Sequence, residues 1–136
     1  MDVGNRFLIL SLNGEQYAIP IGRLLEITMP RNIQKDAKLA EEFEGKYQFR
    51  GAWIPVVNVK KILKTGSGPA ENLLVVNSNK GMLGLLVDSV VEIWSTEQKP
   101  TPLPRGVVTP GLPYYRGVLR HKDTIVPLLD EDGLLP

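Results

Sequence analysis

The sequence predicts an all-β protein built from two similar units of about five short strands each, at approximately residues 7–64 and 72–135. Three observations predict it. Apolar residues run at strand length or alternate with period two, turn dipeptides punctuate the runs, and the whole order of strands and turns occurs twice. The repeat is clearest between Gly45 to Val59, GKYQFRGAWIPVVNV, and Gly117 to Glu131, GVLRHKDTIVPLLDE. Gly45 matches Gly117 and Pro55 matches Pro127 at a constant offset of 72 positions without a gap. Tyr47, Trp53, Ile54, Val56 and Val57 fall on Leu119, Ile125, Val126, Leu128 and Leu129, and Arg50 falls on Lys122. Each copy reads as a strand, a polar turn and a β-branched strand with a proline. That proline removes a ladder donor and belongs at an edge, a bulge or a strand start, so its recurrence suggests one barrel corner built twice.

In chain order, Phe7 to Leu12 is an apolar run of strand length, and Asn13-Gly14 is the dipeptide best suited to a two-residue hairpin turn. Tyr17, Ile19 and Ile21 then alternate as a strand with one buried face. GRLLEI continues after a break at Gly22 and carries Glu26 among apolar neighbours, and Met29-Pro30 closes the segment. Between residues 31 and 44, Asp36 is placed to cap a short helix with Leu39 and Phe43 one turn apart on its inner face. A helical turn is expected over Val59 to Leu63, and Thr65 to Pro69 has the composition of a flexible connector.

The segment LLVVNSNKGMLGLLVDSVVEI from Leu73 then aligns on FLILSLNGEQYAIPIGRLLEI from Phe7 at an offset of 66, with Leu8, Asn13, Glu26 and Ile27 meeting identical residues at Leu74, Asn79, Glu92 and Ile93. The change of offset requires only a longer spacer in the second unit. That spacer, Trp94 to Arg116, holds five prolines and is expected to cross the surface without sheet or helix. A last strand and a closing turn follow Leu128. Five short strands per unit is the arithmetic of small barrels or of a sandwich. Each unit, at about 60 residues, is near the lower limit of independent stability, so the two should lean on each other along an apolar seam.

Composition sets outer bounds. At 136 residues the chain suits one ordinary domain or two very small ones sharing an interface, and 43% hydrophobic with 23% charged residues describes a soluble globular protein. No apolar run reaches a membrane span, and MDVGNRF lacks the features of a secretion signal, so neither membrane insertion nor export is expected. The absence of cysteine excludes disulfides and thiol chemistry. A net charge of +1 argues against nucleic acid as the main partner.

No catalytic constellation stands out, and no cofactor or metal is expected. His121 falls at a predicted hairpin tip, where residues are polar in any case, and nothing supplies a nucleophile or second ligand at useful spacing. Asp130 to Gly133 resembles the start of a calcium loop but lacks the later ligands. Gly66-Ser67-Gly68 is too short to cradle phosphate, and Pro110 to Pro113 is explained by a connector as well as by a polyproline ligand. Glu92 and Lys122 read as solvated edge residues. Glu26 and Arg50 are more suggestive, because a carboxylate and a guanidinium among apolar residues can pair with each other or with a partner. Trp53 and Trp94 are expected in the core or seam rather than as interface anchors.

The blocks FLILSLNGEQYAIPIGRLLEI, FRGAWIPVVNV and MLGLLVDSVVEI, in this order, resemble the CheW family of bacterial chemosensory coupling proteins over nearly the whole chain, from Phe7 to Leu135. The resemblance implies a single CheW-like domain over residues 1–136 that contains two small five-stranded, SH3-like β-barrels on a shared hydrophobic seam, with one or two short helices. It implies a cytoplasmic, non-enzymatic adaptor that couples methyl-accepting chemoreceptor tips to the regulatory domain of a CheA-type histidine kinase. It also implies protein-binding roles at Leu24, Glu26, Gly45, Arg50 and Gly84. The chain departs from the family at Lys46, Tyr47 and Gln48, where an apolar pair and an asparagine are usual, and at Asn58, where aspartate is usual; Glu41, Glu42 and Glu44 replace an apolar approach. A small-barrel nucleic-acid module is the alternative, which an exposed basic and aromatic face would support. An enzyme using Glu26 or Asp88 as a base would need a second catalytic group.

Overall fold

The structure is a computed structural model that describes residues 5–41, 43–66, 68–102 and 114–134. It contains ten strands: β1 (Asn5–Leu12), β2 (Glu15–Pro20), β3 (Leu24–Thr28), β4 (Phe43–Phe49), β5 (Ala52–Asn58), β6 (Asn72–Ser78), β7 (Gly81–Val87), β8 (Ser89–Thr96), β9 (Tyr115–His121) and β10 (Thr124–Leu129). A 3-10 turn (Ile21–Arg23) precedes β3, and one short helix, α1 (Val59–Leu63), follows β5. Asn58 caps α1 by accepting a hydrogen bond from the Lys60 amide at 3.1 Å, the task an aspartate would perform there.

The strands form two five-stranded sheets, ordered β8-β1-β2-β10-β9 and β3-β6-β7-β5-β4, which make the two small barrels, here I and II. Exchanging β1 to β5 for β6 to β10 converts one order into the other. The repeat in the sequence is therefore a repeat in the fold, but the units do not close separate barrels. The first hairpin of each unit sits in one sheet, and its remaining three strands complete the other.

This exchange explains the apolar runs. β1 and β6 are buried on both faces, so their sequences are continuous rather than alternating. Phe7 and Ile9 point into barrel I, while Leu8, Leu10 and Leu12 point into the seam. Likewise Leu73 and Val75 point into barrel II, while Leu74 and Val76 point into the seam. The seam is the largest core cluster and draws Tyr17, Ile19 and Leu129 from one sheet and Val57, Leu83, Leu85 and Val87 from the other.

Polar clasps on the matched Asn13 and Asn79 fasten the seam. The Asn13 amide donates to Asp88 Oδ2, and the Asn79 amide donates to Asp132 Oδ1, each at 2.7 Å. Asp88 pairs with the buried Lys60 at 2.6 Å, whereas Asp132 pairs with Arg23 at 3.0 Å. Arg23 and Arg116 also neutralise the buried Glu131, whose carboxyl is pushed up chiefly by burial. Asp130 to Asp132, similar in sequence to a calcium loop, are thus engaged by guanidinium groups.

The matched glycines have a shared structural cause. Gln34 pairs with Lys46, and Thr101 pairs with Val118, as isolated bridges beside Gly45 and Gly117. A Cβ on either glycine would stand less than 3.0 Å from the carbonyl oxygen of Gln34 or Thr101. Pro55 and Pro127 lie immediately before the positions, Val56 and Leu128, where β5 and β10 begin to pair with β7 and β2, so their missing donors cost no ladder bond.

Two expectations are corrected. Among the described residues from Asp36 to Phe43 no helix forms; Asp36 instead accepts from the Lys38 amide at 2.9 Å in a turn and pairs with Lys46, so the local cap is used without a following helix. The second spacer is not free of sheet, because β8 extends through Trp94 to Thr96, β9 starts at Tyr115, and Thr101 forms a bridge. Its central prolines and the segment Pro110 to Pro113 lie outside the described residues.

Two outcomes follow from the exchange and the clasps. Residues 1–66 and 68–136, produced separately, will lack the sheet signature in circular dichroism and will regain it on mixing; independent folding of either half would contradict the topology. For Asp88, burial raises the carboxyl, but the Lys60 hydrogen bond, the Asn13 amide and the Lys60 charge together outweigh it and leave the group lowered. Its stabilisation is therefore complete above the ordinary carboxylate range and disappears as pH falls through the depressed value, below about pH 4. Asp88→Asn removes that acid dependence and leaves Lys60 buried without a counter-charge, a loss of about 3 kcal/mol in denaturant unfolding at neutral pH.

Candidate functional site

The five site residues expected from the sequence all lie in barrel II. Leu24 and Glu26 are on β3, Gly45 is on β4, Arg50 is in the turn after β4, and Gly84 is on β7. Register brings three of them into one line. Glu26 is opposite Val75, Val75 opposite Gly84, Gly84 opposite Val56, and Val56 opposite Gly45, so a transverse row crosses all five strands from one edge to the other.

The row repeats in barrel I as Glu92, Ile9, Ala18, Leu128 and Gly117. A carboxylate thus begins each row on an edge strand and a glycine ends it on the opposite edge. Gly84 is internal, and a Cβ there would press on Val56 and Leu73 at 3.0 and 3.1 Å, so its role is to admit neighbouring side chains rather than to touch a partner. Gly45 is set by the Gln34 bridge described above.

Glu26 and Arg50 are not joined. Neither forms a salt bridge among the described residues, and the Arg50 guanidinium lies 4.6 Å from the centre of the Phe49 ring. The matched charges of barrel I behave differently. Glu92 Oε1 bonds His121 Nε2 at 2.5 Å, and Glu92 Oε2 lies 3.6 Å from Lys122 Nζ.

His121 is therefore not a solvated turn residue. It is 3% exposed, it occupies the position of Phe49 in the repeat, and its ring lies 4.6 Å from that of Trp94. Its Nδ1 has no hydrogen-bond partner among the described residues, so Glu92 is the imidazole's polar anchor. The signal for this burial in the sequence is strand position, because the residue matched to His121 is an apolar strand-end phenylalanine, Phe49.

Outside the rows, the edge strands display matched apolar faces. Leu25 and Ile27 on β3, 38% and 40% exposed, correspond to Val91 and Ile93 on β8, 45% and 50% exposed. Trp53 and Ile125 form a third matched exposed pair. Trp53 is thus a surface residue, contrary to expectation, and carries Lys46 Nζ at 4.8 Å from its ring centre. Trp94 packs between Phe7 and His121 as expected of a core residue.

The unequal wiring of the two carboxylates has a measurable consequence. Glu92→Ala leaves the buried imidazole without a partner at either nitrogen and will cost about 2 kcal/mol in denaturant unfolding. Glu26→Ala, which breaks no such bond, will change stability by no more than about 0.5 kcal/mol. Equal effects at the two positions would contradict the geometry.

Comparison with known proteins bears on these features together. The family model described as "CheW-like domain" matches residues 6–136. The chain is 29% identical over 137 residues to the chemotaxis protein CheW of Klebsiella aerogenes, covering 98% of this chain and 82% of the relative. It is 23% identical to the chemotaxis protein CheW of Treponema pallidum, covering 92% and 78%. The crystal structure of the scaffolding protein TtCheW from Thermoanaerobacter tengcongensis superposes with a TM-score of 0.86 at 24% identity, covering 97% of this chain and 92% of that one. With the twin barrels, the exchanged strands and a family match spanning both, the chain belongs to the CheW-like domain family.

Proposed function

We propose that the chain is a non-enzymatic, cytoplasmic adaptor of chemosensory signal transduction. It couples the cytoplasmic tips of methyl-accepting chemoreceptors to the regulatory domain of a CheA-type histidine kinase, and its two units work as one domain. The observation that carries this reading is the pair of matched apolar edge faces, Leu25 with Ile27 and Val91 with Ile93. An adaptor needs two places to hold partners, and exposed apolar strips flanked by charge have the anatomy of protein interfaces. The names of the relatives from Klebsiella and Treponema support the chemotactic setting, and no helix among the described residues is long and apolar enough to cross a membrane.

Within this reading Leu24, Glu26 and Arg50 contact a partner, while Gly45 and Gly84 hold the sheet that presents them. Glu26 and Arg50 set register and exclude wrong partners more than they add affinity, as interface charges do. Three of the residues that depart from the family, Lys46, Tyr47 and Gln48, lie on β4. Lys46 reaches both Asp36, at 3.4 Å, and the Trp53 ring, so it adjusts which partner fits rather than whether the barrel folds. A nucleic-acid surface is less well supported, because the exposed Trp53 is covered by a lysine already engaged by a carboxylate.

The test is retention of the purified chain on an immobilised kinase regulatory domain and on an immobilised receptor signalling tip. Wild type will bind both. Glu26→Ala and Arg50→Ala will each weaken one of the two by about tenfold without moving the unfolding midpoint, about 1.4 kcal/mol of binding. Loss of the adaptor reading would be signalled by a folded chain that neither surface retains.

A further inference from the structure

In barrel I the two edges of the sheet are β8 and β9, and side chains join them across the gap where no ladder runs. Glu92 of β8 bonds His121 of β9, and Trp94 of β8 lies against the same imidazole. Just beyond β8, Gln98 donates from Nε2 to the Arg120 carbonyl at 2.9 Å and accepts from the Arg120 amide at 2.6 Å. At the opposite end of β8, Ser89 and Ser11 share a hydroxyl hydrogen bond of 2.6 Å. The strand is also paired with β1 along nearly its whole length, from Ser89 opposite Ser11 to Thr96 opposite Asn5.

The corresponding edges of barrel II are β3 and β4, and they are not joined in this way. Among the described residues no side-chain hydrogen bond or ion pair links β3 to β4. The matched positions explain it: Phe49 stands in place of His121, and Thr28 in place of Trp94. β3 is shorter, five residues against eight, and is paired with β6 from Leu24 opposite Val76 to Thr28 opposite Leu73, with a bulge at Leu25 that matches the bulge of β8 at Val91. The same short strand carries the exposed Leu25 and Ile27, and Glu26, which forms no ion pair among the described residues.

We propose that the two edge strands made equivalent by the repeat serve unequal purposes: the His121, Glu92 and Trp94 cluster closes barrel I and makes β8 a fixed platform, whereas β3, which no such side-chain cluster ties to β4, is the strand that shifts when a partner docks. Local opening draws on regions with few tertiary hydrogen bonds, and β3 has fewer of these than β8. The identity of the partner rests on the adaptor reading above; the difference between the strands does not.

Amide hydrogen exchange on the full chain tests this. In wild type the amides of residues 24–28 will exchange at least tenfold faster than those of residues 89–94 at the same pH and temperature. His121→Phe, which installs the residue found at the matched position, will accelerate exchange in β8 by about tenfold and leave β3 unchanged. The double substitution Thr28→Trp with Phe49→His, in which Glu26 can play the part of Glu92, will slow exchange in β3. Equal protection of the two strands in wild type overturns the proposal, as does a His121→Phe variant whose β8 remains as protected as before. Should His121→Phe fail to fold, Glu92→Gln keeps a hydrogen bond to the imidazole, and the wild-type comparison decides by itself. Added kinase regulatory domain or receptor tip will protect β3 more than β8. If neither binds, the adaptor reading falls while the exchange difference stands; if one binds and protects β8 alone, the assignment of β3 falls.

Discussion

Burial of β1 and β6 on both faces is the constraint on which the rest of this structure depends. Each strand supplies one set of side chains to the inside of its own barrel and the alternate set to the seam between barrels. A one-residue slip of either strand would exchange the two sets and leave both cores wrongly filled. The outer strands are then positioned by these two, and the edge carboxylates and apolar strips take their places from the register. The clasps at Asn13 and Asn79 fix the same register from the side, since each holds the turn that follows a central strand to an aspartate of the other unit or of the closing turn.

The approximate twofold relation between the barrels makes their differences informative. Two rows of five residues share a terminal carboxylate and a terminal glycine, yet among the described residues the carboxylate is engaged in one and forms no ion pair in the other. A single change in the repeat, phenylalanine to histidine between positions 49 and 121, accounts for much of this. An imidazole in an otherwise apolar interior requires a partner, and Glu92 is within reach on the facing edge. In barrel II the phenylalanine makes no such demand. Among the described residues Glu26 forms no ion pair, and Arg50 rests on the ring.

Much of this was legible in the sequence. The hairpins followed from Asn13-Gly14 and Arg50-Gly51, which adopt the positive φ their composition permits, and from the gapless matches between the units. The family resemblance placed the barrels and pointed to the sheet that holds Leu24, Glu26, Gly45, Arg50 and Gly84. What the sequence hid was long-range. Strand exchange leaves no local mark, because a strand buried on both faces reads alike whichever barrel it joins. The helix expected over residues 36–43 rested on a cap and one apolar pair. Those signals suit a turn equally well when Lys46 draws Asp36 aside and Gln34 is bridged to β4. The polarity of His121 suits a turn, whereas its match to Phe49 suits the interior; the match prevails because a polar side chain at a strand end can face inward when the opposite edge supplies an acceptor.

The crossing of strands between units also bears on how such a molecule can vary. A unit of five strands with this wiring completes no barrel by itself, and two identical copies could complete a pair only by meeting in solution. Tethering them through the short stretch after α1 replaces that encounter with a fixed local concentration. It also lifts the demand that both copies stay the same. Substitutions that would have to appear in duplicate in a symmetric pair need appear only once, so one half can harden around a buried imidazole while the other keeps its rim loose.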